Sequence, residues 1–230
     1  LIEDCAHAIG ATYKQKPLGT WGDLACFSFH GTKNISSGEG GCLVVNTDNN
    51  DLLRRVSIAH EKGTNRDDFN MGRVSKYEWL DQGSSFIPSE FTSAVLLAQL
   101  EQLQEVTERR RAYYSDYKKR IQEMNLSQFQ TLELNESEFS AHAFVLLARD
   151  KDTRELIEAK MLKLGVTVAS HYEPLHSSPF SVRQFGEVYL PITEDIARRV
   201  LRLPMWSASG LDTKTVVHKL HESVSSLGLQ

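Results

Sequence analysis

Lys33, Asp4 and Ser28 carry the strongest chemical signal in this chain of 230 residues. Lys33 stands in a polar, glycine-rich interruption between two apolar stretches, with Ser28 five residues before it and Gly38, Gly40 and Gly41 close behind. A deprotonated lysine amine is a nucleophile. A lone loop lysine is ordinarily a solvated surface charge, and on these residues alone that is the default reading. Asp4 follows Leu1-Ile2-Glu3, which reads as the end of a strand. A carboxylate at the C-terminal end of a strand in an open α/β sheet lies where such folds bind ligands, but aspartate there can equally cap a helix. Cys5 beside His7 pairs a thiol with a base, although near-adjacent positions rarely give the spatial arrangement that nucleophilic catalysis needs. His171 and His176 flank a proline, Pro174, which breaks the helical spacing of a metal site, and no third ligand accompanies them. Gly38-Glu39-Gly40-Gly41 lacks the Lys-Ser/Thr ending of a nucleotide P-loop and reads as a backbone feature for a tight turn or close approach.

The elements that would hold these residues follow from periodicity. Ala25, Phe27 and Phe29 alternate as a half-buried strand does, and apolar residues return at 42–45, which puts Lys33 at the lip of a sheet. Residues 4–11 start a loop or short helix, and residues 13–22 form a connection punctuated by Pro17, Gly19 and Gly22. Residues 51–60 suit a short helix. The polar stretch 61–85 is expected to be a long functional loop, its Phe69, Tyr77 and Trp79 arguing against disorder. Pro88-Ser89 introduces a long helical region, bent near Thr107. Its Leu96, Leu100, Leu103, Val106, Tyr113, Tyr117, Ile121 and Met124 recur at helical steps, as core packing would. A second unit then reads as a small α+β domain. It has a buried strand over 142–148, a helix opened by Asp152-x-x-Glu155 and closed by Gly165, a strand at 166–168, and a final helix capped by Asp212 and ending at Gly228.

Composition bounds the function classes. At 40% hydrophobic and 24% charged residues the chain suits an ordinary globular protein with one large core or two modest ones. A net charge of -4 and pI near 6.1 speak against nucleic-acid binding, the basic clusters at 109–111 and 118–120 reading as a solvated helix face. Cys5, Cys26 and Cys42 cannot all pair internally and have no zinc spacing, which favours a reducing compartment, with cytoplasm the default. No apolar run approaches the length of a membrane span. The opening Leu1-Ile2-Glu3-Asp4, without an initiator methionine, is expected to continue from a longer protein.

Read together, several segments closely resemble the pyridoxal-phosphate sugar aminotransferases of the DegT/DnrJ/EryC1/StrS family. These are Glu3-Asp4-x-Ala6-His7-Ala8, Ser28-Phe29-His30-x-x-Lys33-Asn34, Glu39-Gly40-Gly41, Glu61-Lys62-Gly63-Thr64-Asn65-Arg66, Lys76-Tyr77-x-Trp79-x-Asp81-x-Gly83-Ser84-Ser85 and His171-Tyr172-x-Pro174-Leu175-His176. The resemblance covers nearly the whole chain. It implies an α/β fold of the aspartate-aminotransferase type, fold type I of the pyridoxal-phosphate transferases. Residues 1–108 would be the C-terminal part of the large cofactor-binding domain, and 109–230 a small α+β domain with its linking helix. It further implies pyridoxal 5'-phosphate as cofactor, glutamate as amino donor, the 4-keto carbon of a dTDP-linked 4-keto-6-deoxysugar as acceptor, and a homodimer. By the resemblance, Lys33 joins covalently to the cofactor and carries protons to and from it, and Asp4 keeps the pyridine nitrogen protonated. His7 lies near the cofactor ring and its phenolic oxygen, and Ser28 binds phosphate.

Two features depart from the family pattern. Phosphate contacts and a ring-stacking aromatic that the family supplies upstream of Asp4 have no counterpart in these residues. An asparagine that many relatives donate across the dimer falls at Ile87, where Ser84 or Ser85 would have to replace it. Two rival readings are a sugar dehydratase of the same family, which has histidine in place of the lysine, and a non-catalytic binding domain.

Overall fold

The computed structural model of the chain describes residues 1–126, 129–132 and 138–228. These separate into two units, Leu1–Gln104 and Glu105–Gln230.

In the first unit, β1 (Ile2–Asp4) is followed by a small hairpin of β2 (Thr12–Tyr13) and β3 (Lys16–Pro17). Then come β4 (Leu24–Ser28) and β5 (Gly41–Val45), and the sheet has the order β1-β4-β5. β1 runs parallel to β4, with Asp4 opposite Cys26, while β5 returns antiparallel, with Gly41 opposite Ser28. The expected alternation is present, since Ala25 and Phe29 are buried and Cys26 between them is exposed. Residues 4–11 form turns with no helix, so Asp4 caps none.

Helix α1 (Asn50–His60) fulfils the helix expected over 51–60. Asn49 opens it, its side chain accepting from the Asp51 and Leu52 N–H groups at 3.0 and 3.1 Å. The stretch 61–85 is ordered and contains α2 (Arg66–Asn70). Its ends are tied by bridges from Glu61 to Ser85 and from Thr64 to Trp79, and the Phe69 and Tyr77 rings meet edge to face at 5.6 Å. Ser89 caps α3 (Glu90–Glu101), as Pro88-Ser89 suggests.

The core role expected for the α3 residues is corrected. No residue of α3 is buried; Leu100 is exposed and Phe91 is 85% exposed. Helical periodicity reports an apolar stripe and leaves unstated what covers it. The expected bend near Thr107 is also displaced. The helix breaks at Gln102, and Thr107 lies inside α4 (Leu103–Glu123).

The second unit builds its core between α4, a sheet and two further helices. β6 (Gln130–Thr131), β7 (Phe144–Leu147) and β8 (Val200–Leu203) pair antiparallel in that order. Between β7 and β8 come α5 (Lys151–Lys163), a 3-10 turn at Leu175–Ser177, α6 (Pro179–Phe185) and α7 (Pro191–Arg199), and α8 (Thr213–Ser226) follows β8. Tyr117, Phe144, Leu146, Ile157, Met161 and Leu220 are fully buried together. Tyr114 and Tyr117 place their rings 4.8 and 5.0 Å from Phe144. Arg110 lies within this packing and donates to the Ala141 carbonyl at 2.9 Å and the His142 carbonyl at 2.6 Å.

Asp212 caps α8 as expected, accepting from the Thr215 N–H at 2.9 Å. Asp150, and not Asp152, caps α5, because its carboxylate is the one that reaches the Thr153 N–H. The expected strand at 166–168 joins no ladder. The neighbouring Ala169 instead makes a single bridge to Arg202.

Candidate active site

Sheet topology gathers the candidate residues of the first unit at one end. Because β1 and β4 are parallel, their C-terminal ends lie side by side, with Asp4 at the last register position of β1. Ser28 sits two residues beyond Asp4's partner, about 7 Å further along β4 at the usual strand rise. The connection that carries Lys33, residues 29–40, departs from this same end because β5 returns antiparallel. His7 lies in the turn that follows β1.

The Lys33 connection is folded tightly on itself. The Phe29 N–H donates to the Gly40 carbonyl at 2.8 Å, and the Ser37 N–H to the Phe29 carbonyl at 2.9 Å. The glycine run is therefore the returning arm of the loop. His30 shapes the outgoing arm. Its Nδ1 accepts from the Thr32 N–H at 3.2 Å, its Nε2 lies 3.5 Å from Glu39 Oε1, and its carbonyl accepts from the Lys33 N–H at 2.9 Å. Lys33 is half-buried, and the two residues after it, Asn34 and Ile35, are buried and anchor the loop. Ser28 Oγ accepts from the His30 N–H at 3.4 Å, so this hydroxyl lies at the root of the loop and still has a proton to donate.

Asp4 and Glu3 divide the labour of β1, since successive strand residues face opposite ways. Asp4 is exposed, and among the described residues its Oδ1 accepts from the Ala6 N–H alone, at 3.0 Å, which leaves most of the carboxylate's acceptor capacity for a ligand. Glu3 grips the connection to β4. Its two oxygens accept from the N–H groups of Gly19, Trp21 and Gly22 at 2.8, 2.7 and 2.7 Å. Those amides, Gly22 first and Gly19 next, hold the carboxyl below the ordinary glutamate range. Asn46 completes the clamp by donating to the Gly19 and Gly22 carbonyls at 2.8 and 3.0 Å.

Neither Glu3 nor Asn46 was assigned a role from the sequence. The available signal was a carboxylate placed within an apolar strand beside a glycine-rich turn. Cys5 is buried, and that burial, together with the Glu3 and Asp4 charges, pushes its thiol up and disfavours the thiolate a nucleophile needs. Among the described residues no group of three or more histidine, cysteine and carboxylate side chains is placed to hold a metal.

A primary amine, a carboxylate and a hydroxyl at one sheet end match the three demands of a pyridine aldehyde phosphate: an amine for the aldehyde, an anion for the ring nitrogen and donors for the phosphate. Comparison with known proteins agrees in class. The model of the DegT/DnrJ/EryC1/StrS aminotransferase family matches residues 1–221. An uncharacterized protein of Methanocaldococcus jannaschii, MJ1066, is 31% identical over 217 residues, which is 90% of this chain and 55% of that protein.

Among solved structures, PseC of Helicobacter pylori, an aminotransferase of pseudoaminic acid biosynthesis, superposes with a TM-score of 0.87 at 24% identity, over 98% of this chain and 59% of its own. The sugar aminotransferase CalS13 of Micromonospora echinospora superposes at 0.81 with 26% identity, over 98% of this chain and 57% of its own. The chain thus spans a little over half the length of the relatives it matches. The likeness bears out the aspartate-aminotransferase type of α/β fold, and the chain belongs to the DegT/DnrJ/EryC1/StrS aminotransferase family.

Proposed function

We propose that the protein is a pyridoxal 5'-phosphate-dependent sugar transaminase that moves the amino group of glutamate to the 4-keto carbon of a dTDP-linked 4-keto-6-deoxysugar. The finer reading is a dTDP-4-keto-6-deoxyglucose transaminase of the kind that serves enterobacterial common antigen synthesis. It rests on the resemblance carried by all the quoted segments, from Glu3-Asp4-x-Ala6-His7-Ala8 to His171-Tyr172-x-Pro174-Leu175-His176. The observation that carries the reaction class is the convergence of Asp4, Ser28 and the Lys33 loop at one end of the β1-β4-β5 sheet.

Bound pyridoxal phosphate supplies the electron sink that lets an amino group leave one carbon and arrive at another. Lys33 Nζ would hold the cofactor through its aldehyde and would carry a proton beside the reacting carbon, roles open to a lysine amine. Asp4 would keep a proton on the ring nitrogen by charge, His7 would lie beside the ring, and Ser28 Oγ would donate to the phosphate. The homodimer, the division into a large domain over 1–108 and a small one over 109–230, and the cytoplasmic setting belong to this reading.

Borohydride reduction of the holoenzyme followed by peptide mapping tests it. The cofactor should be fixed to the peptide carrying Lys33, and fixation at Lys62 or Lys76 would overturn the assignment.

A further inference from the structure

Lys33 Nζ has no protein partner among the described residues, so its place is set by the backbone that carries it. The Lys33 N–H donates to the His30 carbonyl at 2.9 Å, which closes a four-residue turn over His30-Gly31-Thr32-Lys33. The His30 ring closes the same turn a second time. Its Nδ1 accepts from the Thr32 N–H at 3.2 Å and lies 3.0 Å from Thr32 Oγ1. A side-chain acceptor for the N–H two residues on is what aspartate and asparagine supply in an Asx turn, and here an imidazole takes that place.

The bond also assigns the ring's tautomer. A backbone N–H can only donate, so Nδ1 carries no proton and Nε2 carries it. Nε2 faces Glu39 on the returning arm, 3.5 Å from Oε1. That contact is open to water, with the His30 side chain 48% and the Glu39 side chain 86% exposed, so solvent screens it and the Thr32 contact is the one that holds the ring. The root of the turn is fixed as well, since the His30 N–H donates to Ser28 Oγ at 3.4 Å and His30 bridges to Gly38. His30 thus joins the Ser28 hydroxyl, the Lys33 amide and the returning arm of the loop.

We propose that His30 is a positioning residue for Lys33, its Nδ1 acceptor holding closed the turn that presents Nζ. Without the ring the Thr32 N–H loses its acceptor and the turn keeps only the Lys33–His30 backbone bond. The amine then samples more directions and meets an aldehyde in the attacking geometry less often. The inference rests on the transaminase reading for what Nζ is presented to, while the turn itself stands on the bonds above.

The test has two arms. In the first, amide exchange at Thr32 and Lys33 is measured in the protein without cofactor, with the Gly19 and Gly22 amides showing that the first unit stays folded. His30→Ala should quicken both loop amides about tenfold, the worth of one hydrogen bond. His30→Asn offers Oδ1 to the same N–H and should return exchange to within about threefold of wild type, and Glu39→Gln should exchange as wild type does. Should His30→Ala disturb the control amides, His30→Phe, which keeps a ring and removes the acceptor, takes its place. The second arm follows how fast added pyridoxal phosphate becomes fixable to Lys33 by borohydride. His30→Ala should slow this at least about tenfold, and His30→Asn should recover most of the rate. His30→Ala within about twofold of wild type in either arm, no rescue by His30→Asn, or an equal loss in Glu39→Gln would overturn the proposal. Fixation of the wild type elsewhere than Lys33 would sink the transaminase reading, while the exchange arm would still decide whether the ring holds the turn.

Discussion

Lys33 and Asp4 can be separated from their structural surroundings by substitution. Among the described residues Lys33 makes no side-chain bond to its loop, whose anchors are the buried Asn34 and Ile35. Lys33→Ala should therefore leave the melting temperature of the protein unchanged while turnover falls by on the order of a thousandfold or more, the range for removing a proton-transferring base. Single-turnover assays with glutamate measure the fall. Asp4→Asn keeps an oxygen for the Ala6 N–H and discards the charge. Turnover should drop about a hundredfold with the fold intact, whereas a variant within twofold of wild type would mean that Asp4 merely closes its turn. Glu3 acts differently. Glu3→Gln offers one acceptor oxygen where the carboxylate offered two, so amide exchange at Gly19, Trp21 and Gly22 should quicken while the second unit's exchange is untouched. Because those amides lower the Glu3 pKa, the clamp is complete above the ordinary glutamate value and is lost as pH falls through the depressed one.

The long connection 61–85 earns its order from glycines that side chains cannot replace. Gly63 has φ +79°, and a Cβ placed there would lie 1.9 Å from the Asp81 carbonyl oxygen and 2.8 Å from Trp79 Nε1. Gly165 has a similar φ of +77° but open space around it. Gly165→Ala should thus cost only the left-handed backbone term, about 1 kcal/mol. Gly63→Ala must also push apart the two arms of the connection, and roughly 3 kcal/mol or more is expected. Urea midpoints at unchanged slope give both values. Equal costs would mean that the connection yields without resistance. Helix α3 shows the opposite relation between pattern and environment. Its apolar residues repeat as those of a core helix would, yet none is buried, whereas the same rhythm continued into α4 buries Val106, Tyr117 and Ile121.

Burial of Tyr117 couples the second unit's stability to alkaline pH. Burial, and then the Asp116 and Asp212 charges, raise the Tyr117 phenol above its ordinary value of about 10. The protonated phenol, which donates to the Pro204 carbonyl at 2.9 Å, therefore stabilises the fold below about pH 10, and this is lost as pH rises toward the raised value. Burial also disfavours the Arg110 charge, which the Ala141 and His142 carbonyls offset by accepting from its guanidinium. Tyr117→Phe should be less stable than wild type at neutral pH by about 1 kcal/mol, the worth of one hydrogen bond. That deficit should shrink above about pH 10, since phenylalanine has no proton to lose. Denaturation midpoints from pH 7 to 11 test this, and a deficit that stays constant would show that Tyr117 does not couple to folding in this range.

Local pattern carried a large part of this protein. Alternation at 25–29 and the apolar return at 42–45 are patterns within single segments, and the caps at Ser89 and Asp212 are contacts between residues three apart. The family motifs likewise singled out Asp4, His7, Ser28 and Lys33 before any geometry was known. What could not be read locally depends on chain reversal and register. The parallel pairing of β1 with β4 puts Asp4 and the Lys33 loop at one sheet end, and the three amides that Glu3 accepts lie 16 to 19 residues away. Asp150 displaced Asp152 as the cap of α5 because a single residue of offset decides which carboxylate reaches the Thr153 N–H. Residues 166–168 have strand composition but no ladder, and Arg202 looks like any strand arginine until the fold covers its Nε and gives that atom no acceptor among the described residues. Side-chain type and spacing set what a segment can do; the free energy of long-range pairing and desolvation selects which neighbours it does it with.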